Sequence, residues 1–127
     1  MYPYFPRNKA YKGRLYVTER QYQAKLIKRL KEMFPGIEVL KQDPSYQQGI
    51  LDLLLLYRDK WASLEVKASA DADVQPNQNH FVEHLNKMSF ASYIYPENEE
   101  EVLNALQQAF EPPRRSRLSK SKSVSLD

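Results

Sequence analysis

The 127-residue chain contains no cysteine. Disulfides, thiolate zinc sites and cysteine-ligated iron–sulfur clusters are thereby excluded, and nothing ties the chain to an oxidising compartment. Long apolar runs are missing too. The longest, Leu53 to Tyr57, is far too short to span a bilayer. The N-terminal MYPYFPRNKAYKGR is basic but lacks the apolar stretch of a signal peptide. These absences lead us to expect a soluble, cytoplasmic protein without a membrane partner. Histidine is scarce: His80 and His84 are the only two, and neither accompanies a candidate serine, so a Ser-His-Asp hydrolase has no basis. Their i, i+4 spacing on a helix suits zinc, but they point away from that helix's apolar stripe and no third ligand is apparent.

What is present is enough for one folded domain, with 42% hydrophobic and 28% charged residues in ordinary globular proportion. The net charge of +3 is unevenly spread. Residues 1–14 hold Arg7, Lys9, Lys12 and Arg14 and no acid. Residues 111–127 hold five basic residues, Arg114, Arg115, Arg117, Lys120 and Lys122, against two acids, while 15–110 carry ten basic and fourteen acidic residues. A mildly acidic body between two basic ends points to a polyanionic partner or, more plainly, to solvated tails. The division expected is an arm over 1–17, a domain over 18–110 and a disordered tail over 111–127, whose EPPRRSRLSKSKSVSLD has almost no apolar content. In the arm, Tyr2, Tyr4, Phe5, Tyr11 and Tyr16 interleave with the bases, a composition suited to phosphate contacts and base stacking, or to packing on the domain or a second subunit.

Within the domain, Thr18-Glu19-Arg20-Gln21 has the form of a capping box, and Tyr22, Leu26, Leu30 and Met33 follow at helical spacing until Phe34-Pro35-Gly36. Glu19 falls on the centre of that stripe. A short strand over Ile37 to Lys41, strands over 50–57 and 61–68, a helix over Pro76 to Met88 with Phe81, Leu85 and Met88 inward, and a strand over Phe90 to Tyr95 come next. A last helix starts at Asn98, paired with Glu101 in a capping box, and turns Val102, Leu103, Leu106 and Phe110 inward. The order α-β-β-β-α-β-α predicts a layered α/β or α+β sandwich around one central sheet.

The two middle strands place charges in apolar surroundings. Ile50, Asp52, Leu54 and Leu56 share one face, and Ser63, Glu65 and Lys67 share a face of the next strand. A two-residue turn at 59–60 sets Asp52 opposite Lys67; a register sum smaller by two sets it opposite Glu65; a three-residue loop separates the charges. Two neighbouring buried carboxylates are costly unless one is protonated or a cation joins them. Aligned oxygens on a rigid sheet suit Mg²⁺, and a lysine aimed at the same point suits phosphodiester hydrolysis. A plain cross-strand ion pair between Asp52 and Lys67 on a solvated face is the bland alternative.

These residues resemble the PD-(D/E)XK nuclease superfamily over about residues 18–110: an aspartate on the second strand, here Asp52, and Glu-x-Lys on the third, here Glu65-Val66-Lys67. Glu19 resembles the first-helix glutamate of many members and Gln78 the glutamine on the helix after the third strand. The proline that gives the motif its name is Leu51 here. By size and the Gly-x-x-Asp opening at Gly49, the chain looks most like small phage-type nucleases, the VRR-NUC group and Holliday-junction resolvases.

The resemblance implies a restriction-endonuclease-like αβββαβ core, a central mixed sheet flanked by helices. It implies Mg²⁺, replaceable by Mn²⁺, held by Asp52, Glu65 and the Val66 carbonyl, with Glu19 acting through the metal or its water. It also implies a water-positioning Lys67, an orienting Gln78, and structure-selective cleavage of branched or flapped DNA in the cytoplasm (the host's, if phage-encoded) by a possible homodimer. Phosphate contacts are expected from Arg7, Lys9, Lys12, Arg14, Arg114, Arg115 and Arg117. The alternative is a non-catalytic nucleic-acid-binding module that keeps the nuclease fold. A sequence-specific enzyme fits less well, because little chain remains to read bases.

Overall fold

Thr18 opens the first helix as its spacing predicts. Its Oγ1 accepts from the Gln21 amide at 3.1 Å, and Gln21 Oε1 accepts from the Thr18 amide at 3.0 Å, closing a reciprocal capping box worth about 1 kcal/mol. The structure, a computed structural model, describes residues 17–111. The helix α1, Glu19–Met33, buries Tyr22, Leu26 and Leu30 and stops where Gly36 takes φ 92°, a left-handed value that glycine adopts freely.

Strand β1, Glu38–Lys41, pairs antiparallel with β2, Leu53–Tyr57; β2 pairs antiparallel with β3, Lys60–Val66; and β3 pairs parallel with β4, Phe90–Ile94. The sheet runs β1-β2-β3-β4, so β1, β3 and β4 end on the same side. Helix α2, Pro76–Met88, joins β3 to β4, and a single 3₁₀ turn, Pro96–Asn98, leads into α3, Glu99–Phe110. The fold is a mixed α/β domain, a four-stranded mixed sheet flanked by helices in the expected order.

Alternation decides what each face does. Leu53, Leu55, Ala62, Leu64, Val66 and Ile94 are fully buried under α1 and α3, whose Leu26, Leu30, Val102, Leu103, Leu106 and Phe110 complete the core. At the hairpin end, Phe34, Tyr57 and Phe110 form an aromatic cluster with centroids 5.3–5.4 Å apart. The α1–α3 seam is tied by Tyr22 donating to Glu99 at 2.7 Å and by Arg29, which pairs with Glu99 and with Glu100.

The opposite face carries Asp52, Leu54, Leu56, Ser63, Glu65 and Lys67. Helix α2 lies over it chiefly at β4, so Leu56 remains 38% exposed. Met88, expected inward, is 63% exposed, and Gln78 is the one buried residue of α2.

The last helix also starts differently from expectation. Asn98 makes no side-chain cap on α3; its Oδ1 accepts from the Tyr95 amide at 2.8 Å and its Nδ2 donates to the Tyr93 carbonyl. The 3₁₀ turn runs directly into α3, so the asparagine fastens the end of β4 instead of pairing with Glu101. Among the described residues, no helix is long and apolar enough to cross a membrane.

Candidate active site at the carboxyl ends of the parallel strands

The hairpin register brings the charges together. Tyr57 pairs with Lys60 and Leu53 with Leu64, so the turn is Arg58–Asp59, and one step beyond the ladder Asp52 stands opposite Glu65. Of the registers open to the sequence, this is the one that opposes the two carboxylates. Arg58 adopts φ 58° to close the turn.

Regular pairing stops at Leu53, and the chain bends at Asp52. Continuing the register would pair Val66 with Leu51, but the Leu51 carbonyl accepts from Gln42 Nε2 at 3.2 Å instead. The vacated place is filled by a side chain: Asp52 Oδ2 accepts from the Val66 amide at 2.9 Å. In return Glu65 Oε1 accepts from the Asp52 amide at 3.1 Å. The N–H and C=O of one strand residue point to the same edge, and alternate from residue to residue. Since the Lys67 amide donates to Ile94 on the β4 side, the Val66 carbonyl faces the Asp52 side, where its amide also points.

Two further groups converge on Glu65, which is 3% exposed. Gln78 Nε2 donates to Glu65 Oε2 at 2.6 Å, and Lys67 Nζ lies 3.4 Å from the same oxygen. Gln78 also accepts from the Gln75 amide at 3.1 Å, so one buried amide both starts α2 and orients a carboxylate. The first turn of α2 is held close by Gly49, where a Cβ would lie 2.5 Å from the Asn77 Cβ. The close approach that Gly49 permits is therefore that of a helix.

Burial, then the charge on Asp52, push the Glu65 carboxyl up to about 7, against the opposing pull of Lys67. Asp52, half-buried, is also raised by burial, with the Val66 amide and Lys67 opposing.

Glu19 departs from its expected place. It is exposed, not set in the core, as are Thr18, Arg20 and Gln21 beside it, and burial in α1 begins only at Tyr22. Its carboxyl is still raised, first by burial and then by Asp52, with Lys67 lowering it. It sits at the rim of the Asp52–Lys67 pair and does not join Asp52 and Glu65: among the described residues no three histidine, cysteine, aspartate or glutamate side chains gather to hold a metal ion. The oxygens that could serve an ion here are the Asp52 and Glu65 carboxylates and the Val66 carbonyl. That suits an ion that takes one or two carboxylates and keeps several waters, as Mg²⁺ does.

Two residues of the site carry no signal in the sequence. Gln42 clamps the backbone on both sides of the Leu51–Asp52 peptide, donating its own amide to the Asp52 carbonyl at 2.8 Å as well as its side chain to Leu51. Tyr93 pairs with Glu65 across β3 and β4 and donates its hydroxyl to Asn79; burial and then the Glu65 charge raise its phenol. His80 and His84 are exposed with stacked rings, as their position on α2 predicts. Arg7, Lys9, Lys12, Arg14, Arg114, Arg115 and Arg117 lie outside the described residues. Compared with models of known families, with curated proteins and with solved structures, the chain finds no match in any of the three.

Proposed function

We propose that the protein is a Mg²⁺-dependent endodeoxyribonuclease of the PD-(D/E)XK type, acting in the cytoplasm on branched or flapped DNA. One observation carries the reading: Asp52, Glu65, Lys67 and Gln78, from two strands and a helix, converge on one point at the carboxyl ends of three parallel strands. A structural ion pair needs one acid and one base. Here two acids and a single base share a largely buried place, and burial with the Asp52 charge raises the Glu65 carboxyl to about 7, Lys67 offsetting only part of the rise.

Asp52, through Oδ1, and Glu65 would hold the ion together with the Val66 carbonyl, and Glu19 would hold one of its waters. Bound there, Mg²⁺ supplies neutralisation of the two carboxylates and polarisation of a phosphate oxygen. Lys67, anchored on Glu65, directs its remaining N–H bonds at the attacking water or a non-bridging oxygen. Gln78 keeps Glu65 Oε2 turned toward Lys67. In the reaction, a water oxygen bonds to phosphorus as one phosphorus–oxygen ester bond breaks. Mn²⁺ would serve in place of Mg²⁺, and symmetrical cleavage of a junction would require two copies.

A second reading is favoured by one observation. One oxygen of each carboxylate is already engaged by backbone, as suits a site that binds nucleic acid without cleaving it. A single panel separates the readings: labelled four-way, flapped, single-stranded and linear duplex DNA with Mg²⁺, wild type beside Asp52→Ala. Mg²⁺-dependent cleavage that Asp52→Ala lacks is the expected result. Equal cleavage by both proteins, or none by the wild type, removes the enzyme assignment.

A further inference from the structure

The loop between β1 and β2 holds a side chain for which the site chemistry has no use. Tyr46 is 88% exposed, the most exposed large hydrophobic residue among those described. Yet the chain around it is structured. The Tyr46 amide donates to the Asp43 carbonyl at 3.1 Å, and Asp43 Oδ1 accepts from the Ser45 amide at 2.9 Å and from Ser45 Oγ at 2.7 Å. A second turn follows at once, with the Ile50 amide donating to Gln47 at 3.2 Å. The end of the loop is pinned where Gly49 meets Asn77. There it adjoins the start of α2, which follows the β3–α2 connection. The ring is thus held in water by two consecutive turns and an anchored glycine.

Its position gives the ring a context. Tyr46 precedes Asp52 by six residues, so it lies within about 20 Å of the site at full extension. The β1–β2 loop carries Asp43 and no base between Gln42 and Asp52, and the β3–α2 connection carries Asp71 and Asp73 with one base, Lys67, which is turned to Glu65. A rim of that charge does not attract the paired phosphate rows of a continuous duplex. An exposed ring offers something that charge does not oppose, the flat face on which any unpaired base stacks.

We propose that Tyr46 is a stacking platform for an unpaired nucleobase beside the scissile phosphodiester. The substrate is therefore single-stranded where it meets this rim: a flap or free strand, not an uninterrupted duplex. The adjacency to a cleaved bond rests on the nuclease reading; the stacking does not.

The test uses the full chain carrying Asp52→Asn, which binds without turnover, and compares its affinity for a labelled thymidine oligonucleotide with that for a hairpin duplex of equal charge. Adding Tyr46→Ala should weaken single-strand binding about fivefold to a hundredfold and leave duplex binding unchanged. Tyr46→Phe and Tyr46→Trp should keep single-strand binding. The thermal midpoint should stay constant throughout, since the ring touches no core.

An unchanged single-strand affinity in Tyr46→Ala overturns the proposal, as does an equal loss on the duplex. So does a wild-type dimer that Tyr46→Ala converts to monomer, which would make a second copy the occupant. If no DNA is cleaved with Mg²⁺ but single-strand binding still depends on Tyr46, the enzyme reading fails and the platform stands. If cleavage occurs and Tyr46→Ala leaves every substrate equally cut, the platform fails alone.

Discussion

Asp52 and Glu65 face each other one step past the end of the β2–β3 ladder, and the amide of the first donates to the carboxylate of the second at 3.1 Å. With the Asp52 side chain accepting from Val66, the pair finishes the sheet with side chains where backbone pairing has stopped. Charge and hydrogen bonding at this place are separable, and substitutions can remove one without the other.

Asp52→Asn keeps an oxygen for the Val66 amide and removes the charge. It should abolish Mg²⁺-dependent cleavage with little loss of stability. Asp52→Ala loses both and should also cost about 1–2 kcal/mol, because a sheltered amide goes unpaired. Urea unfolding beside a cleavage assay checks the split; equal stability of the two variants would contradict the hydrogen-bond role.

The raised Glu65 carboxyl predicts how stability depends on pH. Its folded value, about 7, lies above the ordinary carboxylate value of 4.5. The native state therefore binds the extra proton between these limits. Stability from this group is full below about pH 4.5 and is lost as pH rises through 7, by about 3 kcal/mol at most. In chelator, wild type should unfold more readily at pH 8 than at pH 5.5, and Glu65→Gln should remove much of that difference. On the proposed function Mg²⁺ would bind the ionised pair, and its stabilising effect should then grow in the same direction. A Glu65→Gln protein with the wild-type pH slope would refute the assignment.

Gln78 is the third test. Replacing it with leucine takes a donor from Glu65 and an acceptor from the Gln75 amide, at a cost of about 1–3 kcal/mol. With its hydrogen bond gone, Glu65 ionises at still higher pH, and the acid limb of the cleavage rate profile should move upward. A loss of stability with an unmoved acid limb would leave Gln78 a structural residue only.

Two glycines provide an internal comparison. Gly36 and Gly49 both take positive φ, 92° and 87°, but a Cβ at Gly36 meets nothing within 4 Å, whereas one at Gly49 lies 2.5 Å from Asn77. Gly36→Ala should cost about 1 kcal/mol from backbone conformation alone. Gly49→Ala should cost clearly more and lower cleavage too, because it pushes away the helical turn that carries Gln78. Equal losses in both variants would show that the Gly49–Asn77 contact does not position the site.

The charge distribution yields a prediction about salt. Residues 17–111 carry fifteen acidic and ten basic residues, and nine bases lie outside them. Deleting 1–16 and 112–127 should weaken DNA binding and flatten its dependence on salt, each lost phosphate contact reducing the logarithmic slope by about 0.9. The same slope in the shortened protein would show that the body makes the contacts itself.

Much of the architecture could be read from the chain because it follows from local rules. The Thr18 box, the stripes of α1 and α3 and the strand alternation each involve residues a few positions apart. The meeting of Asp52 and Glu65 was legible only conditionally, since one turn decides between registers that the apolar pattern permits equally. Glu19 shows where periodicity misleads: its angle on the helix matches the stripe, but burial in α1 begins only at Tyr22, and an angle says nothing about where along the helix burial starts. Gln42 left no trace at all. Its partners are backbone carbonyls nine and ten positions on, and a carbonyl has no sequence.

The Phe34–Tyr57–Phe110 cluster fastens the hairpin end of the β2–β3 ladder, while the opposite end closes on exchangeable bonds from side chains to amides. The strand pair is therefore graded like a zip with one end stitched. Fraying that begins at the Asp52 and Val66 amides breaks only these bonds before it meets the fully buried Leu51, Leu53 and Val66 side chains, so it is short and stays among the local fluctuations of the native state. Amide exchange should accordingly be quicker at Asp52 and Val66, whose amides donate to carboxylates, than at Tyr57 beside the aromatic stitch.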